Sequence, residues 1–139
     1  MATPHNSLRI LFADDEKSLQ EFMRSELPRL GHEVTVCPDG KAALKAMEKA
    51  TFDAAILDLR MPGKTGFEVL EHLRRRALPI PKRIAILTSF AQPADILRSY
   101  ELGAHFIAHK EADFRPLVHR LDRAMADEGA WNKADAPVA

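Results

Sequence analysis

Cysteine, tryptophan and tyrosine each occur once in this chain of 139 residues. A lone thiol, Cys37, excludes an internal disulfide and a cysteine-built zinc site, and it fits a reducing compartment, so the expected location is the cytoplasm. Net charge is missing as well: twenty basic residues cancel twenty acidic ones. No global field then draws the chain to nucleic acid or to an anionic membrane. No apolar run approaches the length of a membrane span. The polar start, Met1 to Ser7, lacks the apolar stretch of a signal peptide. Neither an internal repeat nor a linker to a second domain is visible. The expected division is a polar extension at 1–7, one folded domain at 8–128 and a solvated tail, with Trp131, at 129–139.

What is present is alternation. Apolar runs centred on Ile10, Ile56, Ile86 and Ile107 are nearly continuous, as in central parallel strands buried on both faces. His32 to Cys37 instead alternates polar and apolar, as at a sheet edge. Helical periods lie between the runs. Leu19, Phe22, Met23, Leu27 and Leu30 form the first, with Pro28 ending or distorting its last turn. Ala43, Leu44 and Met47 follow an Asp39 N-cap. Phe67, Leu70 and Leu73 form the third face. Ile96, Leu97 and Tyr100 form the fourth, opened by Pro93 and closed by Gly103. Leu117, Val118, Leu121 and Met125 follow Asp113 as cap, with Gly129 past the end. Five strand–helix units predict a doubly wound α/β sheet, with right-handed crossovers placing alternate helices on opposite faces.

Ligands of open parallel sheets bind beyond the carboxyl ends of the strands. Five polar residues stand at such ends: Asp14, Asp15, Asp58, Thr88 and Lys110. Three carboxylates at close range repel one another, which a hard cation would relieve. With water they offer the all-oxygen octahedron that magnesium prefers. A carboxylate beside that cation can attack a phosphoryl group. Thr88 and Lys110 supply a hydroxyl and an ammonium to its oxygens.

Ala13-Asp14-Asp15-Glu16, Asp58-Leu59-Arg60-Met61-Pro62-Gly63 with Gly66, Leu87-Thr88-Ser89, and Gly103-Ala104 leading to Lys110 occur in order. In these motifs the chain resembles the response-regulator receiver domains of two-component signalling, over residues 8 to 128. The resemblance implies a flavodoxin-like fold, strand order 2-1-3-4-5, with Asp58 as phosphoacceptor. It implies Mg2+ held by Asp14, Asp15, Asp58 and the backbone carbonyl of Arg60, with Thr88 and Lys110 gripping the phosphoryl group. It implies a sensor histidine kinase or histidine phosphotransfer protein as donor, and a downstream protein bound through the fourth helix, last strand and fifth helix. The expectation is a stand-alone receiver, not an enzyme beyond its own phosphorylation and dephosphorylation, with no direct contact to nucleic acid or membrane. Two positions depart from the family habit. Glu111 follows Lys110 where proline is frequent, and Ile107 stands where a switching Tyr or Phe is frequent. Arg60 and Phe90 should flank the path of an attacking water.

Other readings are weaker. Asp14 and Asp15 could simply cap a helix, and Asp58 could be a turn aspartate. A phosphorelay intermediate shares every feature above. A magnesium-dependent phosphatase with an aspartyl nucleophile would generally need an acid at Arg60. Gly63-Lys64-Thr65 lacks the first glycine of a P-loop, since Asp58 occupies that place. The histidines show no paired metal spacing. Arg74-Arg75-Arg76 with Lys82-Arg83 reads as a solvated helix end.

Overall fold

The computed structural model describes residues 7–89 and 92–126. Phe90, Gly129, Trp131 and nearly all of the two terminal segments named above lie outside these residues. Ten elements alternate along the chain: β1 (Arg9–Ala13), α1 (Lys17–Arg29), β2 (Glu33–Cys37), α2 (Gly40–Lys49), β3 (Ala54–Asp58), α3 (Gly66–Arg75), β4 (Arg83–Thr88), α4 (Pro93–Glu101), β5 (Phe106–His109) and α5 (Phe114–Ala126). The strands form one parallel sheet in the order β2-β1-β3-β4-β5. The alternating strand β2 is indeed an edge, exposed or half-buried over most of its length, whereas β3 is buried throughout.

Side chains of the central strands point alternately into two cores. On one face Leu11, Leu57, Ile84 and Ile86 meet α2 and α3 through Leu44, Met47, Leu70 and Leu73. On the other, Ile10, Phe12, Ile56 and Leu87 meet α1 and α5 through Leu19, Met23, Leu117 and Leu121. The helices therefore do not alternate between faces, as expected from the units alone. Chain direction across the sheet explains this. Only β1 to β2 steps one way, so α1 lies on one face; the remaining crossovers all step the other way and share the opposite face. After β5 the chain returns, and α5 packs beside α1.

The fourth helix departs further from expectation. Ile96 and Tyr100 are only half-buried, Leu97 is 61% exposed, and the buried residue of α4 is Ser99. Polar contacts hold it instead. Arg98 pairs with Glu71 at 2.8 Å and lies over the Phe67 ring, and Arg74 Nε donates to the Leu102 carbonyl at 3.1 Å.

Local signals mostly act as read. Asp39 accepts from the Ala42 N–H, and Asp113 from the Arg115 N–H. Pro28 sits inside the last turn of α1, where losing one hydrogen bond is tolerable; Gly31, at φ +97°, then turns the chain toward β2. The Thr65–Glu68 capping box opens α3. Cys37 is buried, and burial followed by the nearby Asp39 charge pushes its thiol up to about 11.

His32 fastens the far end of the sheet. Its Nδ1 accepts from the Leu8 N–H at 3.1 Å, which leaves Nε2 to donate to Asp122 Oδ1 of α5 at 2.8 Å. His32→Leu would leave a backbone donor and a carboxylate without this partner. It should lower the unfolding free energy by about 1–3 kcal/mol, read by urea titration; an unchanged midpoint would show the link to be incidental.

Candidate functional site

The five polar strand ends meet at one edge of the sheet. Asp58 closes β3 and Thr88 closes β4; Asp14, Asp15 and Lys110 lie just past β1 and β5. The ladders continue into these ends: the Asp14 N–H donates to Cys37, Leu59 to Leu87, and Lys110 to Thr88. Backbone pairing thus carries the side chains, and they inherit the register of the sheet. The register pairs Ala13 with Leu57, so the next residues, Asp14 and Asp58, fall beside each other.

Asp14 and Asp58 are buried and Asp15 is exposed. One oxygen from each lies within 4.8 Å of the other two. Lys110 Nζ stands among them, 2.8 Å from Asp14 Oδ2, 3.4 Å from Asp58 Oδ2 and 3.5 Å from Glu16 Oε1. The contact to Asp14 is a close ion pair without the alignment of a regular hydrogen bond, since Oδ2 has no hydrogen-bond partner. Asp14 Oδ1 accepts from the Glu16 N–H at 2.8 Å, so this residue orients the entry to α1; the N-cap itself is Glu16, without a side-chain cap. Asp58 Oδ1 takes the Arg60 N–H at 3.3 Å. Asp15, Asp58, Arg60, Thr88, Ser89 and Lys110 line a cavity of about 200 Å³.

The residues 10–122 match the family description "Response regulator receiver domain". The chain belongs to this family. The receiver is 32% identical over 118 residues to the transcriptional regulatory protein RprY of Bacteroides fragilis, covering 85% of this chain and 49% of that one. Among solved structures, the chemotaxis protein CheY4 of Vibrio cholerae superposes with a TM-score of 0.73 at 30% identity, over 83% of this chain and 96% of that chain. The response regulator TrrA of Thermotoga maritima, in complex with Mg2+–BeF, gives 0.66 at 30% identity, again over 83% and 96%. The chain spans about half the length of the curated relatives it matches. Receivers are signalling modules of two-component systems, generally not enzymes, that act with histidine kinases and effectors. Among the described residues of this receiver no helix is long and apolar enough to cross a membrane.

The receiver's donor set fits a hard divalent cation. Three carboxylates supply only oxygen, one buried oxygen of Asp14 lacks an aligned partner, and a single lysine faces their combined charge. Asp14 and Asp58 adjoin directly; Asp15 approaches them from the solvent side. Arg60 contributes its backbone here while its guanidinium reaches Asp95 of α4, at 3.1 Å. Sequence reasoning gave no role to Ser89 in the cavity wall, to the Glu16 carboxylate on Lys110, or to Asp95. Only Glu16 had a signal, its place directly after the aspartate pair. Gly66 has a steric reason: a Cβ there would lie 2.7 Å from the Asp58 carbonyl oxygen. Glu111 pairs with Arg120 at 3.1 Å, and Arg120 also donates to the His109 carbonyl, so α5 clips the loop that carries Lys110.

Burial, then the Asp14 charge, raise Asp58 to about 6, with Lys110 partly offsetting both. Burial also raises Asp14 against the pull of Lys110. Burial alone would lower Lys110, but Asp14, Asp58 and Glu16 outweigh it and lift the ammonium above its ordinary value. Between pH 4 and about 6 the native Asp58 therefore holds more protons than the unfolded one, and stability falls as pH rises through that window. In metal-free buffer at pH 7.5, Asp58→Asn should stabilise the fold, by at most about 3 kcal/mol. The gain should shrink to about 1 kcal/mol at pH 4.5, where the unfolded carboxyl is still mostly ionised. Urea unfolding at both values checks this; an equal gain at each would place its origin elsewhere.

Proposed function

We propose that Asp58 accepts a phosphoryl group from a phosphohistidine on a sensor kinase or phosphotransfer protein. The observation that carries this is the convergence of Asp58, Lys110, Thr88 and Asp15 around one cavity, with the buried Asp14 grouped with Asp58 and Asp15, in a family of receivers. A carboxylate oxygen of Asp58 forms the new O–P bond. The P–N bond to the donor breaks, and the imidazole leaves with the electron pair and takes up a proton. Magnesium would be held by Asp14, Asp15, Asp58 and the Arg60 carbonyl, and when bound it would neutralise charge on the phosphoryl oxygens. The relation to a receiver in complex with Mg2+–BeF supports that assignment.

Lys110 is the second source of positive charge. Its ammonium already touches Asp58, so it needs little movement to pair with a phosphoryl oxygen on that residue. Thr88 borders the same cavity and would donate its hydroxyl to another oxygen. The added charge then shifts an equilibrium between two arrangements of the loop after Thr88 and of α4. A downstream protein would read the face made by α4, β5 and α5. The reaction belongs to the cytoplasm, where such kinases present their phosphohistidine.

The test is labelling with acetyl phosphate, or with a kinase, in the presence of Mg2+. Wild type should incorporate phosphate at Asp58, EDTA should prevent this, and Asp58→Asn should abolish it. Undiminished labelling of Asp58→Asn at another residue would refute the assignment.

A further inference from the structure

The Arg60 side chain joins the cavity to the helix that is least well packed. Its residue lines the cavity and gives its N–H to Asp58, yet its guanidinium Nη2 lies 3.1 Å from Asp95 Oδ2. Asp95 stands in the first turn of α4, and the same oxygen takes the Gln92 N–H at 3.4 Å. One carboxylate thus opens the helix and anchors it to the β3–α3 loop. Of the three arginines that tie α4 down, Arg74 and Arg98 bind it away from the cavity. Arg60 alone of these three borders it.

Charge sets the direction of the effect. The other cation of the cavity, Lys110, is already shared among Asp14, Asp58 and Glu16. The Arg60 side chain is 67% exposed and, among the described residues, is paired with the singly charged Asp95. An exposed pair of this kind holds weakly. A phosphoryl group on Asp58 would bring about two negative charges and three acceptor oxygens to the opposite side of the same residue. Guanidinium is well matched to such an anion.

We propose that Arg60 is a latch between the phosphorylation site and α4. Unphosphorylated, it holds Asp95 and the first turn of the helix. Phosphorylated, it turns to the phosphoryl oxygens and releases that turn. The inference rests on Asp58 as the phosphoacceptor and adds the route by which its charge reaches α4. By reciprocity, whatever frees Arg60 beforehand strengthens binding of the anion by the same factor.

The experiment titrates fluoroberyllate into the magnesium-loaded chain and follows amide chemical shifts. The variants are Asp95→Asn, which retains an oxygen for the Gln92 N–H, Arg60→Met, and the two combined. Asp95→Asn should bind the mimic up to about fivefold more tightly, the range of an exposed ion pair. Arg60→Met should bind it more weakly, and the double variant should match Arg60→Met. In wild type the mimic should move the amides of Gln92 to Ile96 toward their positions in mimic-free Asp95→Asn. An Asp95→Asn affinity equal to or below wild type, or a gain that persists without Arg60, overturns the latch and leaves the phosphoacceptor intact. Failure of the wild-type chain to bind the mimic overturns both.

Discussion

Two carboxylates, Asp14 and Asp58, are buried side by side with one lysine between them, and much of this molecule follows from that placement. Water would separate such charges and screen them; the ends of β1 and β3 do neither. The sheet forces the encounter, because β1 and β3 are neighbours in register and Asp14 and Asp58 come next after a matched pair. Packing on both faces of the sheet supplies the stability that tolerates it. The cores beneath the site are apolar and closed, built from Ile, Leu and Phe of the central strands. Stability is concentrated in those layers, and unrelieved charge is concentrated at one edge. A natural sequence breaks its own rule of partnered burial mainly where chemistry is wanted.

The strands and the site were legible because they depend on short-range patterns. A continuous apolar run followed by Asp, Thr or Lys marks both a central strand and its polar end, and the structure brings Asp14, Asp58, Thr88 and Lys110 together. Caps at Asp39 and Asp113 were equally local. The shared face of α2 and α3 was not legible from the units alone, since it follows from the direction of each crossover. Nor was the exposure of Leu97. Helical spacing tells which residues share a side of a helix, but not how deeply that side sinks. The pairing of Arg60 with Asp95 joins a loop to a helix 35 residues away, and no periodicity encodes a contact between two side-chain tips so far apart in sequence.

The helices divide by the kind of force that holds them. Burial of Leu19, Met23 and Leu27 in α1, or of Leu70 and Leu73 in α3, is strong and has no alternative partner of equal quality. The ties of α4 are ion pairs, a cation over an aromatic ring, and a carbonyl capped by arginine. These are individually weak, but they are exchangeable: a guanidinium released from one acceptor finds another without opening a cavity. Elements that move are drawn from the weakly held part of a fold. The sparse apolar contact of α4 and its arginine ties are thus one property seen twice.

The same reasoning bears on the positions where this receiver departs from family habit. Ile107 packs against the core cluster of α2 and α3 and carries no ring whose rotation could report on Thr88. Beside Lys110, Glu111 makes an ion pair with Arg120, while Arg120 also grips the His109 carbonyl. Position of the lysine is therefore coupled to α5 by charge, as the start of α4 is coupled to Arg60. An arginine links each helix of the expected output face to a segment that carries a site residue: Arg60 reaches Asp95 of α4, and Arg120 of α5 holds the residues on either side of Lys110. In the proposed switch a phosphoryl group on Asp58 would be felt at Lys110 on one side and at Arg60 on the other, so Ile107 in β5 would not isolate that face from it. Coupling of this kind is bounded by the strength of exposed ion pairs. It would favour a graded shift in population over an all-or-none rearrangement, and it would let a partner that grips α4 alter the proposed phosphate site in return.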